Sequence, residues 1–294
     1  MYNFNSGEEL AGICHRLDKP IWEVMLLREV ENSGQPREII YGQMEDNLDT
    51  MFRSVEKGFS QKLDSTGGLI GGDAMKLKDR WENRRSFSGS STLMAVAGAM
   101  SVLEVNASMG LIVAAPTAGA SGIIPGVLFA IREKLSPTKD QMIHALFTCA
   151  AIGLVIAKNA TISGAEGGCQ AETGSAAAMM AGALVEMEGG TPEASLHGAA
   201  IALKNVMGLV CDPIAGLVEC PCQKRNAIGA TNAMICADMA LAGIESIIPF
   251  DEVVETMARV GRQLHPNLKE TARGGLAITP TGLRLAEKIF GPNR

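Results

Sequence analysis

Three cysteines stand in two distinctive contexts. Cys169 closes S-G-A-E-G-G-C-Q, while Cys211 and Cys222 bracket C-D-P-I-A-G-L-V-E-C-P-C. Three thiolates can hold an iron–sulfur cluster and leave its fourth iron open, and a metal with an open position is a Lewis acid. The competing reading is that these thiols are small buried apolar groups, because free cysteine is among the most buried residue types. Cys169 and Cys211 are 42 positions apart, and Cys211 and Cys222 are 11 apart. This is neither the tight run of ferredoxins nor the paired C-x2-C of structural zinc. Ligands so widely spaced would have to be gathered by several elements. Gly167 and Gly168 would let the backbone approach an inorganic sulfide, and Pro213 and Pro221 stiffen the other two thiol loops.

Polar residues around these blocks are candidates for substrate. The stretch A-P-T-A-G-A-S-G (115–122) has the make-up of an anion nest, with backbone N–H groups at Thr117, Ala118 and Gly119 and hydroxyls on Thr117 and Ser121. A plain turn is its bland alternative. Asn159, Ser163, Glu166 and Glu172 flank Cys169 and can orient a substrate or bond a cluster sulfur. Lys158 and Glu166 are the candidates for proton transfer, with a solvated lysine at a helix end as the alternative for Lys158. Arg225 and Asn226 follow Cys222 and suit a carboxylate, arginine through its planar fork. Asp73, after the Gly71-Gly72 pair, could also reach a site. Cys14, Cys149 and Cys236 lie in apolar helical surroundings and read as core, as does His144.

The elements that must position these residues read as helices. Ser6 can cap a helix carrying Leu10, Ile13, Cys14 and Leu17, and Asp18 can cap the next, with Pro20 in its first turn. A long helix is expected from Pro36 to about Phe59. From about residue 90 the pattern predicts helices over 91–109, 125–135, 137–158, 173–188, 192–209, 226–247 and 250–261. Alternating strand patterns are scarce. The expectation is an all-α, compact multi-helix domain with glycine-rich loops, the cysteines sitting on loops between helices. The glycine-rich and polar region 64–91 is the best place for a subdivision of a single 1–294 domain.

Composition narrows the function classes. Hydrophobic residues make up 47% and aromatics only 4%, so the core must be built from small and aliphatic side chains. The net charge of -6, with no basic stripe, argues against nucleic acid. Val105 to Ile131 carries no charge, but Pro116, Pro125 and four glycines interrupt it. A buried loop between two core helices fits that pattern better than a membrane span. Seven cysteines without a secretory signal point to reduced thiols and a cytoplasmic setting.

Two blocks, K-N-A-T-I-S-G-A-E-G-G-C-Q-A-E (158–172) and G-L-V-C-D-P-I-A-G-L-V-E-C-P-C-Q-K-R-N-A-I (208–228), resemble the iron–sulfur-dependent L-serine dehydratases. So does T-A-R-G-G-L-A-I-T-P (271–280). The resemblance is to the α chain of the two-chain form. It implies Cys169, Cys211 and Cys222 as ligands of a [4Fe–4S] cluster, with Cys220 a bystander. It implies L-serine as substrate, pyruvate and ammonia as products, and an αβ hetero-oligomer with a separate β chain. The family's Ser-His-Thr element has no counterpart here, the nearest string being S-F-S-G-S-S (86–91), so the partner is expected to complete the site, base included. The chain ends in G-P-N-R, without the terminal cysteine of single-chain members. The alternatives are an iron–sulfur cysteine desulfidase, a non-catalytic cluster-bearing subunit in which Cys220 closes the open position, and a pyridoxal-phosphate enzyme, for which no lysine-centred motif is evident.

Overall fold

The computed structural model describes residues 1–83 and 86–291. Arg84 and Arg85 of the polar stretch after the double-glycine loop, and the terminal Pro292, Asn293 and Arg294, lie outside them. Among the described residues the chain is all-α, with thirteen α-helices and no strand. They are α1 (Gly7–Leu17), α2 (Ile21–Ser33), α3 (Arg37–Ser60), α4 (Asp73–Asn83), α5 (Ser90–Ala107), α6 (Ile123–Leu135) and α7 (Lys139–Asn159). There follow the single turn α8 (Gly164–Gly167), α9 (Ser175–Met187), α10 (Pro192–Lys204), α11 (Cys222–Leu241), α12 (Phe250–Gln263) and α13 (Pro280–Phe290).

The core is organised around α9, whose sequence S-A-A-A-M-M-A-G-A-L-V is buried throughout. It is apolar on every side because it has neighbours on every side: α6, α7, α10 and α11 all pack on it. Small residues set the helix spacing. A Cβ on Gly126 of α6 would lie 2.6 Å from Ala95 O and 2.9 Å from Ala99 Cα of α5. Those backbones are in direct contact, and any larger side chain would drive them apart. Gly58 lies inside α3 for the same reason, since a Cβ there would meet Ser101 Cα of α5 at 3.1 Å.

The expected caps are partly exchanged. Ser6 caps α1, accepting from Glu9 N at 3.0 Å. Asp18 does not cap α2; it takes a left-handed conformation (φ 50) that closes the C-terminus of α1. The N–H groups that open α2, on Ile21 and Trp22, are instead bonded by the carboxylate of Glu186 from α9. Asp251 caps α1 in the same manner, through Gly7 N at 2.7 Å and Glu8 N at 3.1 Å. Glu104 caps α4 through Asp73 N at 2.7 Å and Ala74 N at 3.2 Å. Carboxylates borrowed from distant helices thus satisfy orphan N–H groups and lock the layers together.

Residues 108–122 form a loop between α5 and α6, with a 3-10 turn at Ala118–Ala120. Pro125 falls in the first turn of α6, where its missing N–H costs nothing. Among the described residues α7 alone is long and apolar enough to cross a membrane, and 67% of its most apolar stretch is buried inside the protein. One cluster of buried apolar side chains includes Phe59 and Ala95, on either side of 64–91, and Ala74 within it.

Candidate functional site

The three thiols occupy three kinds of local structure rather than three loops. Cys169 lies between α8 and a π-helical turn, Gln170–Gly174. Cys211 follows α10 in an extended loop and forms a lone parallel bridge with Lys269. Cys222 is the first residue of α11, whose start precedes the expected Asn226. All three are buried, at 4%, 3% and 8% exposure, and none is in a disulfide.

Polar staples bring these segments together. Gln170, fully buried, donates from Nε2 to Gly167 O and Met257 O, and its Oε1 accepts from Gly208 N at 2.8 Å. Its own N–H donates to Leu209 O at 3.0 Å, so the Cys169 segment is zipped to the chain leading into Cys211. A Cβ on Gly168 (φ 78) would lie 2.8 Å from Leu209 O, and one on Gly261 of α12 would lie 2.9 Å from Gly167 Cα. Gly168 is therefore required by approach to neighbouring backbone, while a Cβ on Gly167 would meet Thr161 Cγ2 at 2.8 Å and Ala171 Cβ at 2.9 Å. Cys211 is bound on both sides by the 268–270 strap, through Cys211 N to Leu268 O at 2.9 Å and Glu270 N to Cys211 O at 2.8 Å. Asp212 accepts from Arg225 Nη2 at 2.8 Å and from Leu276 N at 2.7 Å. Glu219 accepts from Ser65 Oγ, Gly67 N and Leu69 N, tying the double-glycine region to the same loop. Ala215, Glu270 and Ala272 all hold positive φ, a strain that such over-determined segments can sustain.

The electrostatics show that these groups face one another. Burial pushes the Cys169 thiol up, while the Thr173 hydroxyl and the Arg225 charge pull it back. Burial and then the neighbouring Cys169 and Glu172 hold Cys222 at about 12. Cys211 is also pushed up, by burial and by Cys169, Glu270, Glu172 and Cys222. Cys169, Cys211, Cys222, Glu172 and Arg225 therefore share one buried locus, with Glu270 at its edge. Cys220 is half-buried and does not figure among these mutual influences.

Glu172 is the carboxylate at the centre of this locus. It accepts from Thr117 Oγ1 at 2.7 Å. A Cβ on Gly164 would lie 2.6 Å from its Oε2 and 3.2 Å from Cys211 Sγ, and one on Gly119 would meet its Oε1 at 3.1 Å. The backbone at Gly164 and Gly119 thus forms the walls of a cradle that any side chain would fill. Burial raises the pKa of Glu172 despite the Thr117 hydrogen bond. Asn226 binds the nest from behind, donating to Gly119 O at 2.7 Å and accepting from Gly122 N at 3.1 Å. Ser121 is buried and turns inward to Ala118 O.

The structure places the other candidates elsewhere. Lys158 Nζ donates to Phe4 O at 2.7 Å and to Asn5 Oδ1, and Asn159 Nδ2 donates to Asn5 O at 2.6 Å. Both hold down the N-terminal segment. Glu166 accepts from Thr161 Oγ1 at 2.7 Å, and Ser163 stands at the N-cap position of α8 with no side-chain capping bond. Asp73 reaches α11, pairing with Lys224 at 3.0 Å as well as with Lys76. Thr173, Asp212 and Glu270 went unremarked in the sequence. Their signal was proximity, since each lies within four positions of a cysteine or of the 271–280 block.

The model of the serine dehydratase alpha chain family matches residues 16–277. The chain belongs to that family. It is 54% identical over 98% of its length to the probable L-serine dehydratase alpha chain of Bacillus subtilis, covering 96% of that protein. It is 47% identical to the L-serine dehydratase alpha chain of Peptoniphilus asaccharolyticus, over 96% of each chain. It also matches the longer L-serine dehydratase of Streptomyces coelicolor at 37% identity, spanning 61% of that protein. The alpha-chain family model covers all three cysteines, Glu172, Arg225 and the 115–122 nest.

The donor set of this chain, three buried thiols, is of the kind that an iron–sulfur cluster takes. Among the described residues no three His, Cys, Asp or Glu side chains converge tightly enough for a single metal ion. A cluster makes a different demand, because each thiolate binds its own iron. Three buried thiols outside any disulfide, in one locus beside the Gly164 cradle, are donors of the type a cluster would need.

Proposed function

We propose that this chain is the cluster-bearing catalytic subunit of an L-serine dehydratase, converting L-serine to pyruvate and ammonia. Cys169, Cys211 and Cys222 would hold a [4Fe–4S] cluster. When bound, that cluster supplies an iron with a free position, a Lewis acid for the substrate's hydroxyl. The observation that carries the reading is the convergence of the three buried thiols with Glu172 and Arg225 in a chain of this family.

The chain's own residues bind, orient and exclude water. The N–H groups of Ala118 and Gly119 open the 3-10 turn and have no intrahelical acceptor, so they suit the serine carboxylate. Asn226 fixes that turn at both ends of its hydrogen bonds. The Glu172 carboxylate, held by Thr117, is placed to accept from the substrate ammonium. Arg225 is held by Val210 O and Asp212 and keeps positive charge beside Cys169. Loss of the α-proton and the β-hydroxyl as water gives an enamine. Tautomerisation gives the imine, and one water hydrolyses it to pyruvate and ammonia. The base that takes the α-proton belongs to a β chain in this reading. Exposed Met109 and Leu111 before the nest, and Leu276 and Ile278 on the 3-10 turn Gly275–Ile278 that Asp212 bonds, support a partner covering this face. The seven free cysteines fit a reducing, cytoplasmic setting.

The test is anaerobic reconstitution with iron and sulfide together with a β chain, scored by pyruvate release. Pyruvate from L-serine, and far less from L-cysteine, is the expected result. A complex with an intact cluster that releases no pyruvate from L-serine overturns the reading.

A further inference from the structure

The three thiols are not equivalent. Thr173 Oγ1 lies 3.1 Å from Cys169 Sγ. Neither Cys211 nor Cys222 is hydrogen-bonded by another side chain among the described residues. We propose that Thr173 tunes the cluster through Cys169, its hydroxyl donating to that one thiolate and making its corner the least electron-rich of the three. The proposal rests on the cluster reading above. A thiolate has no proton to give, so in the loaded protein the hydroxyl must be the donor.

The fold commits Thr173 to this bond. It is 1% exposed, so water does not compete for the hydroxyl. The π-helical turn Gln170–Gly174 places it four residues after Cys169, and such turns recur at functional sites. Its methyl is locked against α11, since a Cβ on Gly229 would lie 3.1 Å from Thr173 Cγ2. With the methyl fixed there, the hydroxyl is directed to the sulfur. Gly174 is equally confined, with Val206 Cγ2 at 3.0 Å from a would-be Cβ. A cleft of about 360 Å³, lined by Thr173, Met207, Leu209, Arg225 and Ile228, opens on this same side.

Hydrogen bonds to cluster sulfurs draw off electron density and raise the reduction potential. Thr173→Val keeps the shape and the methyl contact but removes the donor. Thr173→Ser keeps the donor and removes the methyl. The αβ complex is reconstituted anaerobically in each form, and two quantities are read: the midpoint potential by spectroelectrochemical titration, and the half-life of cluster absorbance in air. The valine variant should titrate at a more negative potential and bleach several-fold faster, with the serine variant matching wild type. A valine variant with wild-type potential and half-life overturns the proposal, and so does a serine variant shifted as far as valine. Thr173→Ala takes the place of valine should the latter not fold. A wild-type complex that takes up no iron overturns the cluster reading and this proposal together, whereas a loaded wild type with an unshifted valine variant overturns this proposal alone.

Discussion

Breaking the Arg225–Asp212 pair should be at least as damaging as removing it whole. Their side chains are 13% and 4% exposed and 2.8 Å apart. Replacing one partner leaves the other charge buried without compensation, a loss of roughly 3–5 kcal/mol. Asp212→Ala further strips the acceptor from Leu276 N on the 3-10 turn Gly275–Ile278. Arg225→Met leaves Asp212 facing only that N–H. Each single variant should therefore lose a large part of a total stability of about 5–15 kcal/mol. In the double variant neither charge remains, and the loss should be only about 2–4 kcal/mol, mainly imperfect packing and the orphaned N–H. The coupling energy should then be at least about 2 kcal/mol. Urea unfolding of the four proteins, with unchanged m-values, measures it. Additivity within about 0.5 kcal/mol would refute the claim that this pair is buried and mutually dependent.

Gly126→Ala should destabilise by about 1–3 kcal/mol, because its Cβ meets α5 backbone that cannot rotate away, and a thermal melt a few degrees lower would register it. Burial raises the pKa of Glu186 above the ordinary glutamate value of about 4.3. A raised folded-state pKa means stability that is full below that value and is lost as pH climbs through the folded pKa. Unfolding midpoints from pH 4 upward should thus fall more for wild type than for Glu186→Gln, and parallel curves would contradict the assignment. Thr117→Val removes the donor that holds Glu172 and should raise KM for L-serine roughly 5- to 10-fold with a smaller change in kcat, read from steady-state pyruvate release.

Much of the helical architecture was legible because the helices carry their own signals. Ser6 and Thr191 cap as their types predict, and the residue 173–185 run is buried as its uniform apolarity requires. The misread cap at Asp18 has a physical cause. The carboxylate that opens α2 comes from Glu186, more than 160 positions away, and no local pattern announces a borrowed cap. α11 starts four residues before the expected Asn226 because Pro221-Cys222 reads as loop punctuation in sequence, whereas proline just before a helix is compatible with its first turn. At the candidate site, residue types single out the thiols as candidates but say nothing of their surroundings. Asn159 and Lys158 sit next to the Cys169 block in sequence and are turned to the N-terminus in space. Thr173 and Asp212 carry no chemical distinction until the fold sets them against Cys169 and Arg225. The glycines had an evident purpose, close approach, but only the fold shows what is approached: Leu209 O at Gly168, and Glu172 with Cys211 at Gly164.

Iron stoichiometry after anaerobic reconstitution tests the account most directly. Cys169→Ser, Cys211→Ser and Cys222→Ser should each hold markedly less iron and release little pyruvate, while Cys220→Ser should match wild type in both. Wild-type iron content and turnover in all three of the first variants, or their loss in Cys220→Ser alone, would contradict it.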